Sequence, residues 1–285
     1  MALQKTGAIS LSDVAVELKK APTANISLND ADVRALAGVP TGEISLFNLY
    51  GKPAFVPGTT KFTSNSSFTL PAGYLSAVIE VWGGGGGGGT FGTTTQATTG
   101  GVSSVTGTGL SLIANGGGAG GEFAIGGTAP GGVGGSALGG STNTSGGAGG
   151  QGTADGVSGR GTSGAGGDTA PGVNAYTSGG VGGASVIAIP AVTGNANISG
   201  NAGGPPGAGG SGGAVFINAP KIHQGHGGGG GGGGGYSRIT ALPATSPSGT
   251  VLTIVVGSGG DGALATNTIS NGGRGADGYV VITTT

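Results

Sequence analysis

Two histidines, His223 and His226, stand three residues apart in Lys221-Ile222-His223-Gln224-Gly225-His226, directly before nine consecutive glycines. Paired imidazoles can ligate a divalent ion, but zinc sites take three or four protein ligands and no acidic third ligand adjoins this pair. The expectation is therefore no metal and no cofactor, with His223 and His226 the only candidates; in a homotrimer the two positions would bring six imidazoles to one axis. The glycine runs 83–89 and 227–235 invite a phosphate-cradle reading, yet neither is followed by the Lys and Ser or Thr that open the helix of a Walker loop. No Gly-x-Ser-x-Gly elbow lies between a strand and a helix. The acids Glu80, Glu122, Asp155, Asp168, Asp261 and Asp277 are scattered singly, so a carboxylate pair for sugar hydrolysis would need long-range folding to assemble. The chain reads as no enzyme.

Aromatic contact is the chemistry that remains. Phe91, Phe123, Tyr176, Phe216 and Tyr236 are spread through a glycine-rich background, and Arg238 follows Tyr236 by two. Aromatic rings on stiff loops can stack on sugar rings or fit a protein surface at little ordering cost. Phe123 and Phe216 are expected to anchor their own loops. Phe91, Tyr176, Tyr236 and Arg238 are the expected receptor contacts, with Tyr176 and Tyr236 at an exposed tip.

The elements that would position them are set by an unusual composition. Of 285 residues 75 are Gly, only 7% are charged, 5% are aromatic and none is Cys. That excludes disulfides and thiolate metal sites. It also excludes collagen, because no Gly-X-Y period runs through the chain. The formal net charge of -1 provides no basic field for nucleic acid. No apolar window approaches a membrane span, and no basic leader precedes an apolar stretch, so the expectation is a soluble chain without membrane insertion.

Six glycines precede residue 83 and 10 of the 21 charges fall within the first 60 residues, which divides the chain into 1–58 and 59–285. In the first part Ile9-Ser10-Leu11-Ser12-Asp13, Ile26-Ser27-Leu28-Asn29-Asp30 and Ile44-Ser45-Leu46-Phe47-Asn48 recur at spacings of 17 and 18. Each reads as an extended dipeptide leading into a helical turn. Ser12 is expected to cap a helix over 13–20, and Asn29 with Asp32 to start a second that Gly38 and Pro40 stop. The apolar faces would be Val14, Val16 and Leu18, then Val33, Leu36 and Ala37. About 55 residues with no metal or disulfide call for a partner surface. The segment is thus expected to be a docking module using Leu11, Val14, Leu18, Leu28, Val33, Leu36, Leu46 and Phe47, or else a helical cap on the rest.

The second part opens and closes with strand formers. One strand is expected from Phe62 to Leu70, another over 75–82, and two more over 250–256 and 278–283. These should pair as a small sandwich or sheet with Trp82 in its core. Between them the fold is expected to be mainly β: a glycine-rich β-sandwich, or a layered body of threefold polyglycine-II-like helices, rather than a disordered linker.

The three repeats, with Gly7-Ala8 before the first and Leu49-Tyr50-Gly51-Lys52 after the last, resemble an N-terminal segment of tailed-bacteriophage tail and virion proteins. Phe68-Thr69-Leu70-Pro71-Ala72-Gly73, Val78-Ile79-Glu80-Val81-Trp82-Gly83 and 271–282 are similar to the glycine-rich domain of phage fibres and tip adhesins. The resemblance implies a virion structural protein, a tail fibre or tail-tip component. Residues 1–58 would attach to other tail or virion proteins, and the body would meet a bacterial surface glycan or outer-surface protein. It also implies a homo-oligomer, commonly a trimer. Such adhesins generally lack the N-terminal repeats, so a purely architectural head or tail part is the alternative.

Overall fold

The computed structural model describes residues 3–39, 41–52, 55, 57–123, 128–155, 196–198, 200–219, 222–265 and 271–285. A small helical region comes first and a larger body built on β-sheet follows. Among the described residues no helix is long and apolar enough to cross a membrane.

The helical region is organised by its repeats. The Ser10 N–H donates to Asp13 Oδ2 at 2.8 Å and the Asp13 N–H returns to Ser10 Oγ at 3.2 Å, a capping box that starts α1 (Leu11–Glu17). The Ser27 N–H meets Asp30 Oδ2 and the Ser45 N–H meets Asn48 Oδ1, both at 2.9 Å. The three motifs thus share one turn, which leads in the second case to α2 (Ala31–Ala37) and in the third to a 3-10 turn at Leu46–Leu49. The cap of α1 is Ser10 and not Ser12, because the reciprocal bond needs an acceptor side chain three residues on, where Ser10 has Asp13 and Ser12 has Ala15. α1 also stops earlier than expected, Lys19 taking a left-handed φ of 60°. Val16 faces solvent, since a position two from Val14 falls off the buried stripe. Gly38 ends α2 at φ 75°, as its position suggested.

The strands, in chain order, are β1 (Gly58–Phe62), β2 (Ser66–Thr69), β3 (Ala77–Trp82), β4 (Thr93–Thr95), β5 (Ser103–Gly107), β6 (Leu110–Ala114), β7 (Ala137–Leu138), β8 (Thr142–Thr144), β9 (Ala154–Asp155), β10 (Ala196–Ile198), β11 (Ala214–Ala219), β12 (Ile222–Gly227), β13 (Tyr236–Ala241), β14 (Val251–Val255), β15 (Leu264–Ala265) and β16 (Tyr279–Thr284). Two open five-stranded antiparallel sheets, ordered β1-β16-β3-β13-β8 and β2-β14-β5-β6-β7, share one apolar core. Ile79, Val81, Val280 and Ile282 face Val105, Leu112, Leu252 and Ile254 across it. Pairing of the strands that flank the glycine region holds in β3 with β16 and β2 with β14. The single strand expected from Phe62 to Leu70 is instead two, bent at 63–65, and each half joins a different sheet.

Eight strands, β3, β5, β6, β7, β8, β13, β14 and β16, continue within two residues into glycine-rich runs. The run 83–89 lies inside six others. Its N–H groups donate in rotation: Gly83, Gly86 and Gly89 to the carbonyls of Gly235, Gly232 and Gly229, Gly84 and Gly87 to Gly101 and Thr98, Gly85 and Gly88 to Ala276 and Gly273, all at 2.8–3.0 Å. Its carbonyls accept from Gly117 and Gly120, Gly260 and Ala263, and Gly210 and Gly213. Every third residue therefore meets the same neighbour. A Cβ on any residue from Gly83 to Gly89 would come within 3.0 Å of a neighbouring carbonyl oxygen. Only glycine lets the backbones approach this closely, and the hydrogen bonds offset the entropy of fixing it.

Candidate functional site

The bundle of runs has two ends. Gly83 bonds Gly235, and Gly235 bonds Asn115, beside the sheets. Gly213 bonds Gly89 and Gly229 bonds Gly121 at the far end. The connections that close there carry β4 with β15 and the sheet β10-β11-β12-β9. The helical region sits at the sheets' other side, where Ala35 approaches Gly249 and Leu18 approaches Gly73.

Of the expected receptor contacts, Phe91 is at the far end, half-buried, bridged to Phe123 with ring centroids 6.2 Å apart. Phe123 is buried, as an anchor should be. Tyr176 lies outside the described residues. Tyr236 is not at a tip: it is fully buried on β13, its ring 4.9 Å from that of Trp82, and its hydroxyl donates to Glu80 Oε1 at 2.7 Å. The reason is the run before it, which returns to the sheets and delivers Tyr236 opposite Trp82. Arg238 is half-buried on the same strand, with its Nε out of reach of any hydrogen-bond acceptor. Trp82 is buried on the sheet face opposite the main core, in a separate cluster with Tyr236, Tyr279 and Val281. Burial, then the charge of Glu80, raises the Tyr279 hydroxyl above its ordinary pKa.

His223 and His226 both fall in β12. Among the described residues no group of three His, Cys, Asp or Glu could hold a metal. Phe216 is on β11.

The docking candidates divide. Val14, Leu18, Val33 and Leu36 fill the helical region's own core, and Leu28 and Leu46 pack against it. Those six are taken up by packing within the helical region. Phe47, 81% exposed, and Leu11, 39%, keep a free surface, joined by Val16 at 47%.

The clefts among the described residues include two at opposite ends of the body. One of about 640 Å³ runs between α2 and the strand ends, lined by Arg34, Ala35, Leu70, Pro71, Gly249 and Val251 among others. Its guanidinium is committed, Nε to Asn29 Oδ1 at 2.8 Å and the two Nη groups to the carbonyls of Val39 and Gly42. The other, of about 250 Å³, opens at the far end of the bundle between Gly89, Gln96, Ala97, Ala263 and the stretch 119–122. Sequence reasoning had Glu122 only as a scattered acid and passed over Gln96. The one signal was that Glu122 directly follows Gly120-Gly121 and so marks the end of a run.

Compared with known proteins, the chain matches no protein-family model and no curated protein.

Proposed function

We propose that the chain is a tailed-phage virion appendage, a tail fibre or tail-tip component, that attaches through residues 1–58 and meets the bacterial surface with the far end of its body. The supporting observation is polarity: helical region and far-end connections lie on opposite sides of the sheets and the glycine bundle. In this reading the bundle is of the polyglycine-II type, a spacer whose three-residue bonding period matches threefold extended helices. Phe47 leads the attachment surface, and a homotrimer would multiply both contacts. The architectural alternative draws on a specific observation too, since Phe123 and Tyr236 are spent on internal packing.

The test is binding of the labelled full-length protein to a panel of bacterial strains, with antibody labelling of the intact particle. Saturable binding to some strain and label at a fibre tip are expected. Absence of binding to every strain, with label at an internal joint, would leave the architectural role.

A further inference from the structure

We infer that β1, an edge of the first five-stranded sheet, pairs with β1 of a second copy of this chain, antiparallel about a twofold axis at Thr60. The contact is between copies and is independent of the phage reading.

The register of the sheet tells which backbone groups of β1 are turned outward. Ser76 and Thr285 exchange both bonds, the Ser76 N–H donating at 3.2 Å and the Thr285 N–H at 2.9 Å, and they continue the rungs that join β3 to β16. In an antiparallel ladder such exchanging pairs alternate, each residue turning its N–H and carbonyl to one neighbour and the next residue to the other. Tyr279, Val281 and Thr283 therefore bond β3, while Val280, Ile282 and Thr284 bond their partners Phe62, Thr60 and Gly58 on β1. Thr59 and Lys61 turn their N–H and carbonyl groups away from the sheet, and the strand is exposed from Gly58 to Lys61. Of the four edge strands of the two sheets β1 is the longest, five residues against four in β2, three in β8 and two in β7.

Edges are usually guarded by charge or proline. From Pro57 to Thr69 the only charge is Lys61, and its ammonium is drawn back over the Tyr279 ring on the neighbouring strand, 3.9 Å from the centroid. The guard is held on its own sheet. Pro57 precedes the strand and, having no N–H, ends the ladder there. What is left is self-complementary. With Thr60 opposite its own counterpart, Thr59 exchanges two hydrogen bonds with Lys61 of the second copy, and Lys61 two with that copy's Thr59. Each lysine then stands across from a threonine, and two threonines meet at the axis, a favourable cross-strand pair. A second copy is the occupant whose outward donors and acceptors match these in number and spacing. The contact uses the same edge on both chains, so it closes at two copies.

Sedimentation equilibrium on the full-length protein, up to millimolar concentration, tests this. Five residues a side make a small contact, so a Kd on the order of 0.1 mM is expected. Wild type should reach twice the mass of two variants: Lys61→Pro, which loses an outward N–H and no ladder bond of its own sheet, and Thr60→Lys, which sets like charges face to face at the axis. Far-ultraviolet spectra of both should match wild type. The chain has no cysteine, so Thr60→Cys reports the axis directly, since Cα atoms of a facing pair of this kind lie about 4.5 Å apart, within reach of a disulfide. Thr63→Cys, whose counterpart would lie about 20 Å away along the pair, should not cross-link. Equal masses for wild type and both variants, or no cross-link from Thr60→Cys at concentrations where wild type associates, would overturn the pairing. Hydrogen exchange at Thr59 and Lys61 separates the other occupants. Protection at every dilution would put another segment of the same chain on the edge. Amides left unprotected at millimolar protein, and protected only by an added Val-Thr repeat peptide, would leave the edge to a strand of a different chain.

Discussion

The missing side chain of Gly86 points at the carbonyl oxygen of Gly118, so close that a Cβ there would fall within 3.0 Å of it. Both atoms belong to backbones tied on other sides, the Gly86 N–H to Gly232 and the Gly118 N–H to Val133. Neither can retreat without breaking a row of hydrogen bonds. Gly86→Ala is expected to destabilise by about 3 kcal/mol or more. Gly58→Ala, where nothing lies within 4 Å, should stay within about 0.5 kcal/mol of wild type. Denaturant unfolding of the pair decides it, and equal midpoints would refute the close packing.

Tyr236 separates packing from contact. Tyr236→Phe keeps the ring against Trp82 and deletes only the donor to the buried Glu80 carboxylate, a loss of about 1–3 kcal/mol. Adhesion should be unaffected at temperatures where the variant is folded. Loss of adhesion at unchanged stability would return this residue to the surface.

The repeats predict a pattern at serine. Ser10→Ala removes one half of a reciprocal cap and should cost about 1 kcal/mol, whereas Ser12→Ala, inside the first turn of α1, should be close to neutral. Unfolding monitored through the helical region's far-ultraviolet signal compares them. A larger effect at Ser12 would contradict the capping assignment.

Acid should loosen the link between the last two runs. Partial burial works against ionising Asp277, but the Gly259 N–H at 2.7 Å and the Arg274 guanidinium at 2.7 Å outweigh it, and its pKa lies below the usual 3.8. A depressed carboxyl pKa stabilises the fold above its unfolded value and the contribution is lost as pH falls through the folded one. Melting temperatures measured from pH 5 downward should therefore drop from about pH 4, and drop less in Asp277→Asn. Parallel curves would show that Asp277 has no part in the acid response.

How far the sequence spoke depended on side chains. Ile9, Ile26 and Ile44 with their following serines announced three like turns, and the β-forming residues of 75–82 and 278–283 announced strands. A strand written in Val, Ile and aromatic residues carries a side-chain signal of its own. A glycine run carries none. Nothing in nine glycines says that they travel back toward the sheet, so Tyr236 read as a tip although it is the start of β13. Ser12 adjoins the apolar run and so reads as the cap, but Asp13 partners the serine three positions before it, Ser10. The cleft at Gln96 and Glu122 draws on three stretches far apart in sequence, 89–97, 119–122 and Ala263, which no local pattern joins.

The direction of the hydrogen bonds has a mechanical consequence. In the polyglycine-II form proposed for the bundle, seven residues at roughly 3.1 Å each would make a strut of about 20 Å, with its cross-links sideways to its length. A pull between the helical region and the far-end loops loads those cross-links in shear, many at once, instead of peeling them one by one as at the end of a hairpin. The body resists stretching best along the line that joins its two ends, and yields most readily to a force applied from the side.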